Sequence, residues 1–469
     1  MNWKNIFKSL KSADMRNRLL AVLGVIVVYR FLAHIPVPLA EPTQLKDIIG
    51  QTIGSNSFGG FLNLLSGGAL ASFSIMLVGL SPYITSSIIT QMLTKAIPRL
   101  EEMHKDGESG RRKINQWTRI ITLPLAILQS IAFIFILRQT VLSGATTIGD
   151  MDMTQWIVAV SAMTAGAMML MWLGEIITEK GIGNGISLLI FAGIISQMPQ
   201  TLGTLWTSIV TPNGDPFHVF NWFEISFLNN TAVWLTLGIS IVALAVLYLL
   251  VKINEGQRII SINYAKRVHG NSQYGGVKSI LPIKLITAGV IPVIFAVAFL
   301  SLPAFLGQLM VATNWNPELG QNLILWFQRT NGSASTLAGW QQFIYPTCYF
   351  VLVVAFTYFY TSIVFNANEI AESLQKQGGF IENVRPGKQT EKYLKSVVNR
   401  LTLFGSLALG MIAVLPFIFE YIFTQLGLGG AAQSLSIGGT GLLIIVSVAL
   451  ESLRQLNSRA LMVTYDEYK

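Results

Sequence analysis

FGGFLNLLSGGALASF (58–73), followed at once by SIMLVGLSPYITSSIITQMLTKAI (74–97), decides how this chain is read. The second stretch is apolar over more than twenty residues, and about 20 residues are needed to cross a hydrocarbon layer at 1.5 Å per helical residue. The first is as apolar but only sixteen residues long, and Gly59, Gly60, Gly67 and Gly68 break it. It is too short to span. Non-spanning backbone at membrane depth persists only where protein buries it or where it lines a cavity. Two readings stay open: a re-entrant half-helix that stoppers a cavity, or an interfacial helix on the outer surface.

Working outward, further apolar segments run over 19–39, 118–140, 154–178, 183–200, 231–253, 281–305, 343–365, 398–419 and 438–460, which with 74–97 makes ten spans. Charge tests that count. Alternating sides from the N-terminus puts all but four of the 32 Lys and Arg residues on one side: Lys46, Arg138 and Arg329 fall outside, and Arg30 lies within the first span. Losing or adding a span would scramble this segregation, so the positive-inside rule supports ten, with both termini cytosolic. The 52% apolar and 12% charged composition fits a chain whose solvent is mostly lipid. The net charge of +9 sets topology against an anionic leaflet, and it would also suit an anionic cytosolic partner. The basic-then-apolar N-terminus has too long an apolar run for a signal peptide and no convincing cleavage site, so it reads as retained.

Little points to catalysis. The single cysteine, Cys348, excludes an intrachain disulfide framework and a Cys-based metal cluster, and His34, His104, His218 and His269 are too scattered for a local zinc motif. No P-loop occurs. GIGNG at 181–185 follows a helical segment and has the wrong spacing for a dinucleotide turn, so it reads as a tight turn between spans. The expectation is no cofactor, no metal and no enzymatic activity. Ionisable residues near membrane depth are Arg30, Glu175 and Glu451, with Glu420 near a span end. A coupled transporter places its carboxylates near the midplane, and here they sit towards span ends.

Within 74–97, Leu80, Ile84 and Ile88 share one helical face, and Ser87, Gln91 and Thr94 lie on another. The apolar row suits lipid contact or packing; it also suits a constriction that excludes water and ions by dewetting. The small polar residues either line a path or simply let helices approach closely.

SGGAL (66–70), SPYITSSII (81–89), GESGRRK (107–113), ITEKGIGNGIS (177–187), GQRIISINYAKR (256–267), AGVIP (288–292), VFNANEIAESL (364–374), VRPGKQT (384–390) and GGTGLLIIV (438–446) together resemble the SecY/Sec61-alpha family, the channel subunits of protein-conducting translocons. The resemblance runs from about residue 19 to 464. It implies an all-α polytopic membrane protein of ten transmembrane helices in two pseudo-symmetric inverted halves of five, with a re-entrant plug helix. In that frame 1–18 is a cytosolic tail, 19–195 the N-terminal half, 196–230 an external hinge connection, 231–464 the C-terminal half with cytosolic loops 252–284 and 366–400, and 465–469 a second tail.

The resemblance makes 58–73 the plug, with Asn63, Leu64, Leu65, Ser66, Gly67 and Gly68 at its centre. It makes Leu80, Ile84, Ile186, Ile190, Ile294 and Ile444 the pore ring. Position 80 is usually Ile in bacterial members, and Leu keeps the bulk and apolarity. Ile186 and Ile190 share a helix face, Ile294 follows Gly289 and Pro292 where a helix can bend, and Ile444 follows Gly438, Gly439 and Gly441. The lateral gate falls between spans 2 and 3 on one side and 7 and 8 on the other, with Ser87, Gln91 and Thr94 on it. Arg258, Lys266, Arg267 and Arg385 resemble cytosolic docking residues for a ribosome, with its RNA phosphates, or for the SecA motor ATPase. One departure is Ile259, where the family often has a second arginine. SecE and SecG subunits, signal peptides, preproteins and membrane lipids complete the implied partners. The expected function is a channel in the cytoplasmic membrane that passes unfolded secretory chains and releases membrane segments sideways. A secondary transporter for a small solute and an assembly scaffold without a pore are the alternatives.

Overall fold

The computed structural model describes residues 13–37, 74–140, 153–180, 183–210, 217–219, 223–225, 231–264, 266–269, 272–275, 278–289, 291–327, 340–425, 441 and 444–458. Most of these are helical. In chain order the helices are α1 (Ala13–Leu32), α2 (Ser81–Ala96), α3 (Pro98–Lys105), α4 (Glu108–Thr140), α5 (Met153–Lys180), α6 (Gly185–Val210), α7 (Thr231–Glu255), α8 (Ile291–Ala312), α9 (Pro317–Phe327), α10 (Ile344–Val364), α11 (Ala367–Lys376) and α12 (Lys388–Gln425). A further helical stretch, α13, covers 444–458.

Five helical stretches among the described residues are long and apolar enough to cross a membrane: Glu108–Ile134, Met153–Lys180, Ile291–Val311, Gln341–Lys376 and Lys388–Phe419. Their outer surfaces are apolar too. On α1, Leu20, Leu23, Val27 and Phe31 are all more than half exposed, whereas Val22 and Tyr29 on the other face are buried. Water would penalise such a surface and lipid does not, so an apolar side chain outside the bundle is no defect here.

The helices form two groups. α1, α2, α4, α5 and α6 pack together, as do α7, α8, α10 and α12. The groups meet along two seams, α8 against α2 and α4 on one side, and α6 against α7 on the other. The described residues on either side of 38–73 lie together: a Pro36–Ser74 bridge, an Ile75 N–H to Ile35 carbonyl bond of 3.0 Å and a Ser74 hydroxyl to Leu32 carbonyl bond of 3.1 Å join them. The residues read as a plug, Asn63 to Gly68, fall between these points, outside the described residues.

Two span boundaries shift. The stretch 74–97 is not one helix: 75–80 is a series of turns with Gly79 at φ 63°, and α2 starts at Ser81 with Pro82 in its first turn. The seventh span begins at Ile291 and not at 281, because 278–284 is a strand. Pro292 therefore starts a helix and does not bend one; its missing N–H costs nothing there.

The helical expectation also needs an amendment. Between α7 and α8, β3 (Gln257–Tyr264) pairs antiparallel with β6 (Lys278–Lys284), and β7 (Gly379–Ile381) after α11 pairs with the far end of β3, giving a three-stranded sheet in the order β6-β3-β7. A sheet thus ties two loops more than 100 residues apart. Two small hairpins, β1 (Phe217–Val219) with β2 (Phe223–Ile225) and β4 (Lys266–His269) with β5 (Ser272–Gly275), stand beside it in the chain.

The turn between α5 and α6 sets the direction of Ile186 and Ile190. Asn184 caps α6 by accepting from the Ile186 N–H at 3.1 Å, and the Thr178 hydroxyl accepts from the Gly185 N–H at 2.9 Å. A Cβ on Gly185 would collide with the Gly174 carbonyl and stand 2.9 Å from the Ile177 Cβ. Gly185→Val therefore forces α5 and α6 apart, at a cost of about 1–3 kcal/mol typical of overpacking. Thermal unfolding of the detergent-solubilised protein should shift down by several degrees; an unchanged transition would contradict this close approach.

Candidate functional site

Five of the six residues read as a ring are buried: Leu80, Ile84, Ile190, Ile294 and Ile444 expose at most 7% of their surface and lie in one apolar cluster, against which Ile186 packs. They come from the N-cap of α2, α2 itself, α6, α8 and α13, so both helix groups contribute. Gly441 stands beside Ile194, and a Cβ there would meet its Cγ2 at 3.3 Å, which brings the start of α13 close to α6.

Above this cluster opens a cavity of about 950 Å³. Ile84, Ile186 and Ile294 form apolar wall, Ser87 and Gln91 line it from α2, and Asp14, Arg18, Arg119, Glu175 and Glu179 give it charge of both signs. The charges are largely paired. Arg119 Nε donates to Glu175 at 2.7 Å across α4 and α5, and Arg18 bridges Asp14 at 2.9 Å while donating to the Lys180 carbonyl at 3.1 Å. The result is a cavity with polar and charged walls that also carries the aliphatic side chains of Ile84, Ile186 and Ile294.

The polar stripe on α2 divides. Gln91 Nε2 donates to the Ser87 hydroxyl at 3.0 Å, and the Gln91 carbonyl oxygen is buried without a partner. Thr94 is buried, its hydroxyl bonded at 2.8 Å to the Thr90 carbonyl, on the i, i+4 row with Ser86 and Thr90. Ser86 donates to the Thr118 carbonyl of α4 at 2.6 Å. Ser87 and Gln91 thus line the cavity, whereas Thr94 is buried outside its lining with its hydroxyl turned back on its own helix.

Arg30, the one basic residue inside the first span, donates to Ser196 of α6 at 2.8 Å, which satisfies part of a guanidinium at membrane depth. Of the four residues read as docking contacts, Arg258 lies on β3 opposite Ile283 and is exposed. Arg385 is exposed in a tight turn between Asn383 at φ 63° and Gly387 at φ 94°, and its carbonyl accepts from the Thr390 hydroxyl at 2.9 Å. Lys266 and Arg267 occupy the β4 strand of the β4–β5 hairpin. The β3–β7 pairing brings the loops of Arg258 and Arg385 into one platform, seated on the buried cluster of Ile260, Ile283, Ile381, Leu394, Val397 and Val398. Sequence reasoning missed this platform. Its signal was the alternation in QRIISINY, in which Ile260 and Ile262 are buried and Arg258, Ile259 and Ser261 are exposed. At the end of β6, burial pushes the Lys284 ammonium below its usual range; neighbouring Arg454 adds to that, and Glu451 opposes it.

A helical bundle with lipid-compatible outer faces that holds a cavity with polar and charged walls is the architecture of a polytopic membrane protein. Residues 74–453 match the SecY family. Among curated relatives, the SecY subunit of the protein translocase from Streptomyces galbus is 38% identical and that from Corynebacterium glutamicum 39%, each alignment covering 98% of both chains; that from Mycobacterium bovis is 37% identical over the same share. Solved structures with this fold include a protein-conducting channel, TM-score 0.58 at 18% identity over 94% of this chain and 91% of the other, and Sec61 in a canine ribosome-channel complex, TM-score 0.56 at 17% identity over the same shares. The chain belongs to the SecY family, and its function is that of a protein-conducting channel, which sets the transporter alternative aside.

Ile260→Asp places an unpartnered carboxyl in the cluster beneath the sheet, at a cost of about 2–7 kcal/mol. Tryptic cleavage after Arg258 in membranes should accelerate at least tenfold while the helices persist; an unchanged rate would show that the platform does not depend on this core.

Proposed function

We propose that the chain is a passive conduit, without enzymatic activity, built from ten transmembrane helices in two inverted halves over 19–195 and 231–464 and joined by the external connection 196–230. Helix in each of the ten apolar segments and the one-sided distribution of Lys and Arg support this. Both tails and the basic loops then lie in the cytosol, and the membrane is the cytoplasmic one.

The observation that carries the reading is the 950 Å³ vestibule whose apolar wall includes Ile84, Ile186 and Ile294. An unfolded polypeptide brings polar backbone groups that need hydration or a partner until the narrowest point. The polar walls supply that. The ring then grips any sequence through dispersion contacts alone, and in the idle state its aliphatic side chains exclude water and ions without a charge. The segment 58–73, with Asn63 to Gly68 at its centre, closes the far side. Driving energy comes from partners: SecA or a ribosome at Arg258, Lys266, Arg267 and Arg385, with SecE and SecG beside the bundle. Canine Sec61, which shares this fold, occurs in a ribosome-channel complex, and such docking is consistent with that.

Sideways release uses the seam where α8 meets α2 and α4. Gln91 on that seam holds a buried carbonyl oxygen without a protein partner, which makes the closed seam less favourable than an apolar one. Gln91→Leu removes that penalty. Export of precursors with weakened signal sequences should drop severalfold relative to precursors with strong ones; equal export ratios in variant and parent would contradict the seam's role.

A further inference from the structure

Glu451, near membrane depth, lies outside the lining of the vestibule. It lies on α13, two helical turns beyond Ile444 on the same face. Its Oε2 stands 3.8 Å from where a Cβ on Gly289 would be. Gly289, at φ 65°, closes the turn from β6 into α8, two residues before that helix begins.

The elements meeting at this carboxylate are all parts of the seam or the platform. Lys284 ends β6, and its charge and that of Glu451 act on each other. Arg454, three residues further along α13, donates to the Asn254 carbonyl at the end of α7 at 2.8 Å. Tyr360 of α10, which lines the vestibule, lies within the field of Glu451. These are the titratable and charged groups that face it. The turn at Gly289 leads into the N-terminus of α8, where the helix dipole favours a negative charge and the first turn contains no acidic residue.

We propose that Glu451 is a positioning residue that anchors the base of α8 from α13, holding the gate seam shut until a signal sequence displaces it. Because Lys284 ends a strand of the platform, this anchor also links docking on the sheet to the seam. The charge on Glu451 holds the α8 terminus. The inference rests on the seam reading above.

The test is export of two precursors, one with an intact and one with a shortened apolar signal core, through the full translocase in membranes. Glu451→Gln should raise the ratio of weakened to intact precursor exported at least threefold, and Glu451→Asp, which keeps the charge, should restore the parental ratio. A merely structural role would lower both precursors together and leave the ratio unmoved, and that result overturns the proposal. If Glu451→Gln fails to accumulate in the membrane, Lys284→Gln takes its place, with a rise of about twofold expected and no rise counting against the anchor. Gln91→Leu separates the two ideas: a shifted ratio there with none at Glu451 sinks the anchor alone, and no shift at either sinks the seam.

Discussion

Hydrocarbon offers no hydrogen bond to a peptide group, and a chain that lives in it must satisfy its backbone and its polar side chains internally. Helices meet the first demand. The second is met locally: Thr85, Thr90, Thr94, Thr118, Thr122, Ser130, Thr357 and Thr361 each donate to the carbonyl four residues earlier, at 2.6–3.1 Å. Such back-bonding lets a helix carry hydroxyls through an apolar layer without opening a polar path. Other polar groups do not fold back on their own helix, and two of these, the Gln91 side-chain carbonyl and the Arg119–Glu175 pair, stand at the vestibule.

A protein-conducting channel needs a wall that does not stick and a closure that does not leak. Charge would provide specificity and trap one substrate. Aliphatic side chains give neither strong bonds nor hydration sites, and Leu80, Ile84, Ile190, Ile294 and Ile444 are packed in one apolar cluster, as the proposed ring requires. The arrangement of the helices serves the same end. The two groups touch along α8 with α2 and α4, and again along α6 with α7, and in the proposed channel the first seam parts while the second stays joined.

Much of this was legible in the sequence because hydropathy in a membrane chain is a strong, long-range signal. The helix segments followed from apolar length and the one-sided charge. What was hidden was short or relational. QRIISINY and KSILPIK are strands of eight and seven residues inside basic loops, and the apolar content of the second ran into the next span and moved its start from 291 to 281. Thr94 shared a sequence stripe with Ser87 and Gln91, yet its hydroxyl turned back onto Thr90, a choice that no spacing rule reveals. The turns at 75–80 depend on contacts such as Gly166 against the Ile75 carbonyl, made with a helix ninety residues away.

The central claim is that a polypeptide passes through the apolar cluster. Site-specific crosslinking tests it most directly: Cys348 is replaced, a single cysteine is placed at Ile190 or Ile444, and a secretory chain with a cysteine in its mature part is arrested in transit. The account predicts a disulfide at both positions, dependent on a cleavable signal sequence. No crosslink at either position, despite productive binding of the precursor and measurable flux of a small solute, would contradict it.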